Sequence, residues 1–344
     1  MFRPSARFYS SFRRRRQSAK ILGPARPDDL PRRIAPQLAF AGGVSALAIG
    51  TAAYATNKDT EERNKGYWPA WRRNHGTGLQ RDLARSRWED VYERARGWVD
   101  SFPGNRLALI LSSNWLEMSE AKRTQAGLIA LFGGVWLAWR LPQASRFGQY
   151  LAHDPLSGRS ATLLTSVFSH RTLPHLAFNS IALYSFGTAC FAFLDYSERL
   201  PRSTSRYEFL AFFATAGLAS SFMSHVWFSR IVAGRLLQIA STSQVRQAIV
   251  PSLGASGAVY ACLTMTALSF PESNVSLIFL PFIPLPIGAA TAGLVVVDLI
   301  GLLRGWRMFD HAAHLSGAAM GALWWAYGHD WFERLRATML QRSQ

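Results

Sequence analysis

Ser256 stands in the run Gly254-Ala255-Ser256-Gly257, and His314 in the run His311-Ala312-Ala313-His314-Leu315-Ser316-Gly317. A serine hydroxyl is a weak nucleophile until a neighbouring base takes its proton. An imidazole, titrating near neutrality, is suited to that work. Acyl transfer from a serine also needs hydrogen-bond donors placed where negative charge develops on the attacked oxygen. His175 and Asn179, spaced i, i+4 and therefore on one helical face, can both donate there. The backbone N–H of Ser256 is a further donor if the serine opens a helix, because first-turn amides lack intrahelical partners. Tyr260, one turn on from Ser256, can pack its ring against an imidazole and fix its orientation.

Each of these residues also has a plainer reading. Small residues abound in apolar helices, and a lone histidine in one is often an interhelical hydrogen-bond partner. His311 and His314 together raise the question of a metal, but no glutamate accompanies them in a zinc-protease arrangement, so no metal is expected. Asp298 has Arg304 and His311 within reach in sequence and reads as a structural pair with one of them. His170 reads as a residue that orients a loop, and His225 with Ser220 and Ser221 as hydrogen-bonding and packing groups. Cys190 and Cys262 lie in apolar runs, with neither a disulfide framework nor zinc spacing, and read as small buried hydrophobes.

The elements that must position these residues are apolar. Of 344 residues, 49% are hydrophobic and only 17% charged, against roughly 25% charged in a usual soluble domain. The net charge of +17 gathers near the N-terminus and between apolar runs. That distribution fits a targeting segment and membrane-flanking charge, and argues against nucleic-acid binding. Residues 1–33 carry Arg13-Arg14-Arg15-Arg16, bear serines and hold no acid before Asp28. This is the composition of a mitochondrial import presequence, with a disordered basic tail as the alternative.

Residues 34–56 hold no charge and are long enough to cross a bilayer, which takes about 20 residues. Residues 57–123 form a polar connector punctuated by Trp68, Trp71, Trp88 and Trp98; within it, 82–99 has the spacing of an interfacial helix. Residues 124–330 contain six apolar spans, at 124–141, 170–194, 207–228, 253–270, 286–303 and 309–327, and 331–344 is a short polar tail. The stretch 278–286 is apolar but carries Pro281, Pro284 and Pro286, so it is expected as a loop at the membrane boundary. The expected fold class is all-α: a polytopic membrane helical bundle, with a six-helix core plus one additional N-terminal transmembrane helix.

Topology ties the polar residues together. The second, fourth and sixth core spans run parallel, since one return crossing separates each pair. His175, Ser256 and His314 lie near the starts of those three spans. At about 1.5 Å of rise per residue, they share one depth within a turn or so. Gly254 and Gly257 leave the serine accessible, while Gly317 and Gly321 give the histidine helix a small-residue face on which another helix can approach closely. If the N-terminus faces the matrix and residues 34–56 cross, the starts of these three spans face the matrix as well.

With His175-x-x-x-Asn179, Gly254-Ala255-Ser256-Gly257 and His314-Leu315-Ser316-Gly317-x-x-x-Gly321 in this order, the chain resembles the rhomboid family of intramembrane serine proteases over about 124–330. The runs 251–258 and 309–315 look like its mitochondrial, presenilin-associated branch. The resemblance implies a Ser–His dyad without an acidic third member: Ser256 as nucleophile, His314 as base, His175 and Asn179 as oxyanion donors. Tyr260 matches a position whose ring stacks on the catalytic histidine in some members. No cofactor is implied. The implied partners are the lipid bilayer and, as substrates in the mitochondrial inner membrane, proteins anchored by one membrane helix. A dynamin-like mitochondrial GTPase and other inner-membrane precursors are among them. The chain departs from the family at Ala161 and Thr162, where many members carry Trp-Arg, and at Ser316, where a smaller residue is common. Two other functions remain open: a catalytically inactive adaptor that binds membrane helices, and a proton-coupled transporter. The adaptor would need neither Ser256 nor His314, and two internally similar halves, usual in transporters, are not visible.

Overall fold

The computed structural model describes residues 34–64, 114–115, 117–195, 200–277, 280–306 and 308–342. The expected presequence (1–33) and interfacial helix (82–99) lie outside the described residues. Helix α1 is Ala35–Asn64. It continues past Thr56 because its polar end has buried partners there: Asn57 Nδ2 donates to the Arg336 carbonyl at 3.0 Å and Ser203 Oγ donates to Asp59 at 2.8 Å. Ala52 and Ala53 of the same helix pack with Ala211 and Phe332.

Helix α2 is Glu120–Ala138, opened by Ser119, whose side chain accepts from the Lys122 amide. Helix α3, Ala144–Leu151, is a short amphipathic piece. Helix α4 is Leu173–Leu194, capped by Thr172 with Pro174 in its first turn and loosened by a π-helical turn at Leu183–Gly187. Helix α5, Arg206–Leu236, is the most deeply packed of the long apolar helices. Helix α6, Thr242–Ala248, starts at a reciprocal cap between Ser241 and Gln244. Helix α7 is Ser256–Ser269. Helix α8, Ile287–Arg304, ends at Gly305, whose φ of 69° is the left-handed conformation glycine tolerates. Helix α9, His311–Leu323, is capped by Asp310 and runs through a π-helical turn at Trp324–Gly328 into α10, His329–Arg342.

Among the described residues, α1, α4, α5 and α8 are long and apolar enough to cross a membrane. Helices α2, α7 and α9 occupy the other three expected spans. Leu294, Val296, Val297 and Leu303 of α8 face outward, as side chains meeting lipid would.

The proline-bearing stretch expected as a loop is instead paired. Strands β1, Asn274–Leu277, and β2, Leu280–Pro286, run antiparallel from Asn274 opposite Pro286 to Leu277 opposite Leu280. Proline has no N–H to donate, which a two-stranded ribbon tolerates because each strand has an unpaired edge. Phe282 projects from the ribbon, 93% exposed.

The core gathers around α7, with Phe132, Phe209, Phe212, Phe213, Met265 and Trp324 among its large buried side chains. At 14 residues α7 spans about 21 Å, well short of the roughly 30 Å hydrocarbon layer. Its serine end is therefore reached by chain that dips inward. Ser252 exchanges backbone hydrogen bonds with His153, and the Gly254 amide donates to the Ser166 carbonyl at 2.9 Å.

Candidate active site

Ser256 is the first residue of α7 and is half-buried. The Ala255 amide just before it approaches His170 Nε2 at 3.5 Å. Close approach of α9 to α7 then sets the distance to His314. A Cβ at Gly317 would run into the Gly257 carbonyl, and one at Gly321 into the Ala261 carbonyl. With both absent, the helices lie backbone against backbone, and Ser256 Oγ lies 2.8 Å from His314 Nε2. The Tyr260 ring stacks on the His314 imidazole at 4.4 Å between centroids and 11° between planes.

Behind the imidazole stands Asp298 of α8, 3% exposed. Its Oδ1 and Oδ2 lie 3.1 Å and 3.3 Å from His314 Nδ1, and Oδ1 is also 2.5 Å from His311 Nδ1. Gly301 gives the His311 ring its space, since a Cβ there would strike it. Asp310 closes the same end: it caps α9 by accepting from the Ala313 amide at 3.2 Å and receives Ser224 Oγ at 2.5 Å. Beside the serine a small polar cavity of about 20 Å³, lined by Ser166, Ser220, Ser221, Ser252 and Asp310 among others, has room for one water molecule.

His175 sits against Gly254, where a Cβ would meet its ring at 2.6 Å; Gly254 also has a φ of 127°, so its place before the nucleophile is a glycine position on two counts. The His170 ring meets that of His175 edge-on at 5.0 Å. Asn179 Nδ2 donates to the His175 carbonyl at 2.9 Å, one turn back on its own helix. His175, Ser256 and His314 thus share one end of the bundle, with Asn179 one turn deeper.

A family model described as Rhomboid domain matches residues 157–331. The chain belongs to the rhomboid family. It is similar to presenilin-associated rhomboid-like protein A, mitochondrial, of Danio rerio, 34% identical over 229 residues, which are 66% of this chain and 53% of that protein. The presenilin-associated rhomboid-like protein, mitochondrial, of Rattus norvegicus is 32% identical over 258 residues, 73% of this chain and 62% of the relative. Rhomboid protein 1, mitochondrial, of Saccharomyces cerevisiae is 33% identical over 221 residues, 62% of this chain and 55% of the relative. The chain thus spans between half and two thirds of the length of these curated relatives. The helical architecture is that of a rhomboid membrane bundle.

Asp298 meets one expectation, a pair with His311, and corrects another. Its partners are both His311 and His314, while Arg304 is exposed at the last turn of α8. A rhomboid dyad implied no acid behind the histidine, and here a buried carboxylate lies against it. The one sequence signal was an acid inside an apolar span. Its spacing to His314 carried none, because the two meet only when α9 folds back on α8. The expected glue role of His225 takes a definite form: its Nδ1 is 3.0 Å from His153 Nε2, both rings buried. Gln37 and Gln125, fully buried and without a hydrogen-bond partner for their side-chain atoms among the described residues, were not singled out in the sequence.

Proposed function

We propose that this chain is a serine endopeptidase of a mitochondrial membrane, the inner one, that cleaves single-span membrane proteins in or beside their transmembrane helix. The observation that carries the reading is the 2.8 Å approach of Ser256 Oγ to His314 Nε2 at the inward-dipping start of a short helix. His314 accepts the hydroxyl proton as the oxygen attacks a scissile carbonyl, then gives it to the leaving amine. Water resolves the acyl-enzyme. The Ser256 amide, which has no intrahelical acceptor at the first position of α7, and the His175 and Asn179 side chains supply donors toward the developing oxyanion. The mitochondrial assignment rests on the names of the relatives and on the Arg-rich residues 1–33. The Tyr260 stack supports the base assignment, because it limits rotation of the imidazole away from the serine.

The test is cleavage of a single-span substrate by the full chain in liposomes. Ser256→Ala and His314→Ala should each abolish cleavage while the protein still inserts. Persistent cleavage by either inserted variant would remove the assignment.

A further inference from the structure

We infer that Asp298 is a positioning residue that holds His314 in the base-competent tautomer and steadies the imidazolium formed during reaction; this deepens the protease reading and rests on it. An ionised carboxylate only accepts hydrogen bonds. A neutral His314 facing Asp298 at 3.1 and 3.3 Å therefore carries its proton on Nδ1, leaving the Nε2 lone pair toward Ser256 Oγ at 2.8 Å. The other tautomer would place an N–H against the serine and could not accept its proton. The imidazole is thus held on three sides: by the Tyr260 face, by the serine at Nε2 and by the carboxylate at Nδ1.

The carboxylate is itself held. It is buried in α8, and Oδ1 takes a second imidazole, that of His311, at 2.5 Å. A carboxylate inside an apolar span is costly unless its oxygens are matched by donors. Two histidines spaced i, i+3 on α9 supply them, and Gly301 keeps α8 close enough for the contact. A helix-stitching pair would need only His311; the second contact, to the ring that faces the serine, is what a positioning role requires.

The proton balance is simple. The Ser256 Oγ–H bond breaks, and its proton goes to His314 Nε2. The oxygen's electron pair forms the bond to the carbonyl carbon, and the carbonyl π pair moves to oxygen. When the C–N bond breaks, the imidazolium returns the proton to the leaving nitrogen. Asp298 neither takes nor gives a proton; it stays an acceptor at Nδ1 throughout, as the acid of a Ser-His-Asp arrangement does.

The experiment uses the full chain in liposomes as wild type, Asp298→Ala and the near-isosteric Asp298→Asn, with His314→Ala and the double variant Asp298→Ala/His314→Ala. Three quantities are read: kcat and KM for a single-span substrate, the rate at which a fluorophosphonate labels Ser256, and thermal unfolding in detergent. In the Asp298 single variants kcat and the labelling rate should fall together by about 10²-fold or more, the low end of what acid–base assistance contributes, with KM little changed. Adding Asp298→Ala to His314→Ala should slow labelling no further, because the carboxylate acts through the imidazole. A folded Asp298 variant with wild-type kcat overturns the inference and leaves the protease reading standing. So does an equal slowing by Asp298→Ala in the absence of His314, the mark of a purely structural role. Should Asp298→Ala fail to fold, Asp298→Asn decides by the same kcat and labelling criteria. A wild type that neither cleaves nor labels removes the protease reading, and this one with it.

Discussion

The His314 imidazole has neighbours of three different kinds, and their contributions separate by substitution. Tyr260 offers a ring face, in contact over a nearly parallel stack. Such aromatic contacts are worth about 0.5–1.5 kcal/mol, between about two-fold and ten-fold in rate if the contact persists in the transition state. Tyr260→Phe should keep most of the cleavage rate. Tyr260→Ala should lower kcat by up to about ten-fold, a smaller loss than at Asp298. Steady-state cleavage in liposomes orders the two, and a Tyr260→Ala variant as slow as His314→Ala would show that the ring does more than orient. At this scale the sequence was readable wherever helical spacing decides a contact. Tyr260 follows Ser256 by one turn, and Asn179 follows His175 by one turn; the first spacing put Tyr260 beside the serine that meets His314, and the second explains why Asn179 Nδ2 reaches the His175 carbonyl. It was unreadable at Asp298, where Arg304 and His311 both stood within reach in sequence and only the return of α9 against α8 chooses His311 and adds His314.

Two glycines set the distance between the helices that carry Ser256 and His314. Gly317 and Gly321 lie on the face of α9 that meets the Gly257 and Ala261 carbonyls. Adding a methyl there must push one helix away or distort it, at about 1–3 kcal/mol for an overpacked contact. Gly317→Ala should lower the melting temperature in detergent and reduce cleavage by more than the lost stability explains, because Gly317 is one turn from His314 and the shift opens the 2.8 Å approach. Wild-type cleavage with a lowered melting temperature would mean that the helices separate without carrying the two side chains apart. The small-residue spacing shows this seam in the sequence alone, whereas the β1–β2 ribbon is hidden there. Pro281, Pro284 and Pro286 argue against a helix interior, but composition does not distinguish an irregular loop from a strand with a free edge.

Over the whole molecule, polar chemistry is concentrated at two ends of an apolar bundle. Helix α5 links them: Glu208 lies in its first turn, and Ser224, which reaches Asp310, lies sixteen residues on, about 24 Å along the axis. At the Glu208 end, Arg202 donates to the Leu194 carbonyl at 2.7 Å and to Glu208 at 2.8 Å, and pairs with Glu333. Arg336 in turn donates to Glu333 at 2.8 Å, to Asn57 at 2.9 Å and to the Pro201 carbonyl at 2.7 Å. This cluster ties α1, α5, α10 and the chain between α4 and α5 into one unit, so α1 is part of the bundle and not a detachable anchor. Breaking a buried pair from one side leaves the partner charge stranded and costs about 3–5 kcal/mol. Arg202→Ala should therefore unfold the protein at markedly lower temperature in detergent, while the folded fraction still labels at Ser256 at the wild-type rate. Burial alone would push the Glu333 carboxyl up, but Arg202 and Arg336 outweigh it and hold the group below its usual 4.5. Its contribution is then complete above about pH 4.5 and is lost as the pH falls through the lower folded-state value. In Glu333→Gln that acid-side loss should shrink, because the charge that titrates is gone. A Glu333→Gln variant whose melting temperature falls with acid as steeply as the wild type's would place the titrating group elsewhere in the bundle. Slowed labelling of folded Arg202→Ala would mean that the two ends are coupled through α5.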